Sequence, residues 1–456
     1  MKAHLQALIA RHAPQCDYLE VRIEEAEASS IAFRGRKLET LRVSQGKGGC
    51  VRAIVRGGLG FTSFNNIDRL DEFIALAIKQ ATLTGRGETK LAPTVPVVAT
   101  ILPVIKTDPR QVPLAKKIEI LDGYSRLIME ADPEYIPTCS VGYSDSYRTV
   151  RLATSEGTFL HQEKMDLGCN LVPLAVRNGQ TQMASAGIGS SNDFNVLQGL
   201  DTEVRRACQT AAALLTAPPI KGGTYTVVAN PEMAGVFIHE AFGHTSEGEK
   251  VYENARLQEI MKLGAQFGSP ILNVYDTGLV QGSRGQIFYD DEGVPAEKTY
   301  LIRNGLLAGR LHSRETAGKM GEAATGNGRA VGYKHPPIPR MRVTCIENGE
   351  TPFTDMIKDI ELGVYACDAF GGQGGEMFTF TAGRGYMIRN GKIEEMVKDV
   401  TLSGNLFKTL KNIDAVGNDF FIHETGGGCG KGSQFPLPVA HGSPHIRIRD
   451  VVVGGK

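Results

Sequence analysis

Fifty-four glycines cut this chain into short runs, and that punctuation constrains the architecture more than any other feature. They follow no three-residue period, so a fibrous fold is excluded; glycine instead serves the positive φ angles that tight turns require. Between the glycines lie β-like runs at residues 18–23, 30–33, 38–43, 50–55 and 60–63, and again at 140–146, 149–154, 158–162, 166–176 and 181–190. Two later turns carry Asn304-Gly305 and Asn390-Gly391, each within the tetrapeptide IRNG. Asn-Gly between apolar runs is the pair that a type I′ hairpin favours. Helical spacing is rarer. It occurs near the N-terminus (Leu5, Leu8, Ile9), at 68–82 (Leu70, Phe73, Ile74, Leu76, Ala77), at 114–130 and at 197–215, and further helices are expected at 253–264 and 355–362.

The expected fold class is therefore α+β: an N-terminal α+β region with a mixed or antiparallel sheet, then a β-rich C-terminal domain. A chain of 456 residues exceeds what one core usually serves. Four stretches are expected: an α+β unit at 1–90, a Pro-rich linker at 91–113, a second α+β unit at 114–220 packed with the first, and the β-rich domain at 221–456. The order of elements in the first unit recurs in the second, without residue-level self-similarity. Lys+Arg and Asp+Glu are equal at 50 each, so no charge surplus draws the protein to nucleic acid or to a membrane surface. No segment has the apolar length of a membrane span or of a secretory signal. The eight cysteines contain no C-x-x-C pair and are expected to be reduced. These features point to a cytoplasmic protein.

The chemistry concentrates after residue 225. A strand at 225–229 runs into Asn230-Pro231-Glu232, a helix start with an N-cap, a proline at the first helical position and an early acid. The following segment, IHEAFGHTSEGE at 238–249, places His239, Glu240 and His244 in the pattern H-E-x-x-x-H. Catalytic zinc takes three protein ligands and a water. In H-E-x-x-H, two histidines at i and i+4 share a helix face, but a step of five residues turns the chain by roughly 140° net on a regular helix. Two local structures restore convergence. One is a π-bulge, which absorbs the extra residue. The other, which the glycine favours, is a helix ending at Gly243 with His244 on a returning loop. Glu240, pointing elsewhere than His239, is placed to act as a general base.

Candidates for the third ligand are several. Glu247 and Glu249 are near in sequence, although Glu247 equally suits orienting an imidazole. His312 and His335 lack a partner pattern, while His423 and Glu424 lead into the glycine-rich stretch at 426–432, where His423 suits a structural role better than one supporting a ligand. Cys429 lies in GGGCGKG at 426–432, where glycines permit close approach to a metal. That loop does not match a phosphate-binding G-x-x-x-x-G-K-[ST]. Asp290 and Asp291 are cleft acids or, more simply, turn residues before Gly293.

HEAFGHTSEGE at 239–249 together with GGCGKGSQFPLPVAHGSP at 427–444 resembles the TldD branch of the TldD/PmbA family. YDDEG (289–293), PPIPRM (336–341) and GYMIRNGKIEEMVKDVTLSGN (385–405) fit as well. The resemblance implies a zinc metallopeptidase, with His239, His244 and Cys429 as Zn2+ ligands and Glu240 as base. It also implies an extended or unfolded peptide as substrate, and a hetero-dimer with a PmbA-like paralogue or else a homodimer. Two rival readings remain at this level: a metal-dependent amidase acting on a small molecule, and a non-catalytic subunit of the gyrase-modulator type.

Overall fold

In the computed structural model, residues 1–85 and 87–454 are described. Arg86, inside the expected first unit, and the last two residues of the expected C-terminal domain lie outside the described residues. The chain is α+β, as expected.

The ten β-like runs condense into fewer, longer strands. In the first unit these are β1 (Tyr18–Arg34), β2 (Lys37–Val55) and β3 (Gly58–Phe64). The Pro-rich stretch holds β4 (Val98–Ile101), and the second unit adds β5 (Thr138–Thr154), β6 (Phe159–Arg177), β7 (Gln180–Met183) and β8 (Ala186–Ser190). Interior glycines such as Gly48 and Gly49 are carried within β2 instead of ending it. There a Cβ would meet Phe64 O and Arg22 O at 2.5 and 2.6 Å, so the glycines mark close approach of neighbouring strands. The eight strands form one sheet, ordered β3-β2-β1-β5-β6-β4, with β7 and β8 also on β6. The two units thus share a sheet through the antiparallel β1–β5 pairing. The Pro-rich stretch, read as a linker, contributes β4, parallel to β6.

Alternation divides the labour of this sheet. On β1, Leu19, Val21 and Ile23 join a core with helices α1 (Lys2–His12) and α2 (Leu70–Leu83). Further along, Ile31 and Phe33 join a second core with α3 (Leu114–Ala131) and α4 (Asp201–Thr216). The intervening residues Glu20, Arg22 and Glu24 are buried on the opposite face, as a period of two dictates. Ion pairs satisfy that face. Arg52 lies 2.7 Å from both Glu20 and Glu292, and Arg148 lies 2.8 Å from Glu24. Glu292 comes from the C-terminal region, so a charged layer joins the two halves.

In the C-terminal region, β9 (Gly223–Ala229), Ile446–Gly454, Thr401–Asn405, Met377–Arg389 and Leu362–Gln373 pair in sequence, and the last returns to β9. This is a closed barrel, which removes free edges from its own strands. A six-stranded sheet lies beside it, with Val274–Thr277 and Val343–Ile346 at its centre. Both IRNG turns form as expected, with Asn304 and Gly305 at φ 50° and 77° and Asn390 and Gly391 at 47° and 74°. The single helix expected from 253 to 264 is instead two short ones, Gly248–Tyr252 and Ala255–Ile260. Asn254 interrupts them, capping the second by accepting from Leu257 N at 3.2 Å. The helix expected at 355–362 covers only Phe353–Ile357, because a turn at 358–361 leads into the barrel strand that begins at Leu362.

A candidate metal centre

The helix start is built as the sequence indicates. Asn230 accepts a hydrogen bond from Met233 N at 2.8 Å, and Pro231 opens helix α5 (Pro231–Phe237). Phe237 fixes the helix against the barrel, its ring 5.3 and 5.8 Å from Phe378 and Phe380. The expectation that the helix ends at Gly243 is corrected here. Helix α5 runs into a π turn over Ile238–Gly243, followed by a 3-10 turn over His244–Ser246. A π turn bonds i to i+5 and so holds one more residue per turn. That extra residue turns a five-residue spacing into a shared face. Gly243 is needed for packing instead: a Cβ there would sit 2.1 Å from Met341 Sδ. Thr245 and Ser246 donate back to Ala241 O and Phe242 O, each at 2.7 Å, and hold the wound segment.

His239 and His244 therefore face one another, ring centroids 5.4 Å apart. The two-stranded ribbon Cys429–Lys431 with Gln434–Leu437 delivers the thiol. Cys429 Sγ lies 3.4 Å from His244 Nε2. One donor atom from each of His239, His244 and Cys429 falls within 4.8 Å of the others. Buried Arg340 donates to the Cys429 carbonyl at 2.7 Å and fixes the ribbon. Glu240 stands beside the cluster, Oε2 3.7 Å from His244 Nε2, with a third of its side chain exposed.

The surroundings tune these groups. Glu247, fully buried, accepts from His244 Nδ1 at 3.0 Å and also faces Lys431 Nζ at 3.1 Å. Lys431 bonds Glu249 and the Pro339 carbonyl as well. Burial disfavours charge on Glu247, but Lys431 and His244 outweigh it and hold the carboxyl below its usual range. Burial likewise opposes the imidazolium of His244, yet Glu247 and Cys429 push its pKa up to about 10. For Cys429, burial raises the pKa, and the His239 and His244 imidazoles more than reverse it, down to about 4. The thiolate that a metal requires is thus favoured before any metal binds.

These residues fit a metal. Two imidazoles and a thiolate are a donor set suited to zinc. Glu247 holds His244 Nδ1, so Nε2 is the nitrogen turned toward Cys429 and, once its proton is displaced, the one presented to a metal. His239 Nδ1 is buried with no hydrogen-bond partner, so its ring is not consumed by a structural role. His312 is so consumed, held by Thr316 and Glu322 at 3.0 Å each.

The other candidates lie elsewhere. Glu249 pairs with Lys431. Asp290 accepts from Glu292 N and Val294 N, each at 2.9 Å, which is a turn role, and Asp291 belongs to the charged layer. The His335 carbonyl accepts from Arg22 at 3.0 Å in that same layer. The His423 ring centroid lies 5.4 Å from that of His441, which is in turn 6.3 Å from that of His239. Sequence reading missed His441, Arg340 and the ionic role of Lys431. All three lie inside motifs already singled out (GGCGKGSQFPLPVAHGSP, PPIPRM and GGGCGKG), and no local pattern distinguishes them.

Fold and site describe an α+β protein with a two-histidine, one-cysteine centre set against a β-barrel. Comparison with known proteins gives its family. The description PmbA/TldA metallopeptidase C-terminal domain matches residues 222–455, its domain 1 matches 19–81 and its central domain matches 107–215. A metalloprotease of Synechocystis is 47% identical over 100% of this chain and 98% of its own length. One from Methanothermobacter thermautotrophicus is 34% identical over 99% and 98%. The metalloprotease TldD homolog of Haemophilus influenzae is 31% identical over 75% and 72%. The crystal structure of TldE from Thermococcus kodakarensis superposes with a TM-score of 0.77 at 19% identity, covering 99% of this chain and 100% of its own. The chain belongs to the TldD/PmbA family of metallopeptidases.

Proposed function

We propose that this chain is a zinc metallopeptidase that hydrolyses extended or unfolded peptides with broad specificity. His239, His244 and Cys429 hold the metal and Glu240 is the general base. The observation that carries this reading is the convergence of three donor atoms within 4.8 Å beside a carboxylate that bonds none of them closely. Zinc bound there supplies a Lewis acid that polarises the scissile carbonyl and acidifies a water. Glu240, partly exposed at the rim, takes the proton of the attacking water on its carboxylate and passes one to the leaving amine nitrogen. Glu247 and Lys431 keep His244 in the orientation that presents Nε2.

The cleft supports a peptide substrate. It encloses about 580 Å³ between Glu240, His244 and Thr245 on one side and Gly372–Gly375 and Gly430–Gly432 on the other. The ribbon carrying Cys429 is two-stranded, so its outer edges are unpaired among the described residues. An extended backbone adds to such an edge through main-chain hydrogen bonds, which read little side-chain identity. A PmbA-like paralogue or a second copy of this chain is the proposed partner, and the cytoplasm the proposed location. Among the described residues, no helix is long and apolar enough to cross a membrane.

The test is Glu240→Ala. Metal content should stay at about one zinc per chain while cleavage of an unfolded peptide falls by roughly 10²–10⁴-fold. Activity that persists at the wild-type level places the base elsewhere.

A further inference from the structure

A second chamber, of about 430 Å³, lies between the charged face of the N-terminal sheet and the C-terminal region. Strands β1, β2, β5 and β6 form one wall. The segments around Arg284, Asp291, Arg329 and Leu437 form the other. Leu437 pairs with Cys429 across the ribbon, so the chamber and the metal centre share that ribbon as a partition. Arg42, on the exposed part of β2, also lines the chamber.

Its walls carry unbalanced charge. Five cations line it (Arg42, Arg148, Lys164, Arg284 and Arg329) against four carboxylates (Glu24, Asp145, Asp166 and Asp291). Each carboxylate is already engaged. Arg148 takes Glu24 at 2.8 Å, and Arg284 grips Asp166 through two bonds of 2.7 Å. Asp145 is held by Lys117 at 2.5 Å, and Asp291 accepts from Ala330 N at 2.8 Å with Arg22 3.9 Å away; Lys117 and Arg22 are two further cations directly behind the wall. Lys164 is left with only Asp291, at 3.9 Å, beyond hydrogen-bond reach. Arg329 has no carboxylate partner among the described residues and donates only to the Met341 and Pro438 carbonyls. Nitrogens of Arg22 (Nε, Nη1) and Arg148 (Nε) are buried with no acceptor.

Buried charges without counter-charges are costly, and native proteins pair them or bind an ion. We infer that this chamber is an oxyanion-binding site, distinct from the metal centre, which takes a carboxylate or phosphate group between Lys164, Arg148 and Arg329. Guanidinium and ammonium groups are the donors that such oxyanions require. The crowding is consistent with this: burial, with Arg340 adding to it, lowers the Arg329 pKa to about 10.

Titration calorimetry with inorganic phosphate tests the assignment, on the metal-loaded chain and again after chelation, because phosphate also ligates zinc. Saturable binding of one phosphate per chain that survives chelation is expected. Lys164→Gln should weaken it about tenfold, as expected for loss of a hydrogen bond to a charged group, and Lys164→Arg should restore it. Ser44→Glu, which adds a negative charge on the chamber wall at a half-exposed position, should abolish binding. It provides the same test if Lys164→Gln fails to fold. Competition by an acetylated, amidated triglutamate peptide, but not by triglutamine, assigns the site to side-chain carboxylates; phosphate binding without such competition assigns it to a free oxyanion. The assignment is overturned if the folded chain shows no saturable binding, if binding disappears with the metal, or if the folded variants bind as tightly as the parent.

Discussion

Glu247 offers the sharpest handle on the metal centre, because it touches one proposed ligand and no substrate-facing surface. Its carboxylate is fully buried and shared between His244 Nδ1 at 3.0 Å and Lys431 Nζ at 3.1 Å. In Glu247→Gln, the amide oxygen can accept from one of these donors, while its NH2 group presents hydrogens to the other. Two effects on metal affinity then compete. Glu247 contributes to the elevated pKa of His244, about 10, so at neutral pH a metal must displace a proton, and losing the carboxylate eases that displacement. The same charge, however, attracts a dication more strongly than a proton and fixes the ring that presents Nε2. The second effect wins, since carboxylates placed behind metal-bound imidazoles contribute about 10–100-fold in affinity, or about 1.4–2.7 kcal/mol. Zinc dissociation constants from competition with a chromophoric chelator should therefore rise by that factor. Glu249→Gln is the matched control: it shares Lys431 but makes no bond to His244, so its affinity should change less than about threefold. Unchanged zinc affinity in Glu247→Gln, with the fold intact by circular dichroism, would refute the role assigned to this carboxylate.

Other perturbations give distinct readouts. Cys429→Ser should lose most of the metal when assayed by elemental analysis after gel filtration; full zinc retention removes Cys429 from the site. Gly374→Ala should lower peptidase activity by at least about tenfold without changing zinc content, because a Cβ there would lie 1.8 Å from the Glu240 carbonyl, and main-chain misplacement of a base is costly. Asp291 bears on acid stability. Burial alone would raise its pKa, but Lys164, Arg22 and Arg148 lower it to about 2. A carboxyl depressed on folding stabilises the protein above its unfolded pKa and loses that contribution as pH falls through the folded value. The stability gap between wild type and Asp291→Asn should thus be about 2 kcal/mol at pH 7 and narrow steadily from about pH 4 toward pH 2. A gap from urea unfolding that stays constant down to pH 3 contradicts the ion pairing.

Local chemistry in the sequence determined a good deal. Asn230-Pro231 starts a helix because an N-cap and a preset φ act within one turn. Both Asn-Gly pairs adopt the left-handed φ angles that only such residues accept cheaply. The apolar periods of α2 and α3 survive because each helix buries one stripe. His239, Glu240 and His244 were legible as a group, and the resemblance carried Cys429 with them. What the sequence left open was decided by contacts distant along the chain. A five-residue histidine spacing fits either a broken helix or a π turn; packing of Gly243 on Met341 and of Phe237 on the barrel selected the π turn. Short β-like runs fused into long strands because neighbouring strands shelter the glycines inside them. The charged layer of Glu20, Arg22, Arg52, Asp291 and Glu292 has no local signature at all. Each charge is tolerable in a buried position only beside partners far away in the sequence, and it is the folded arrangement that supplies those partners, leaving Lys164 with a distant share of Asp291 and Arg329 with no carboxylate among the described residues.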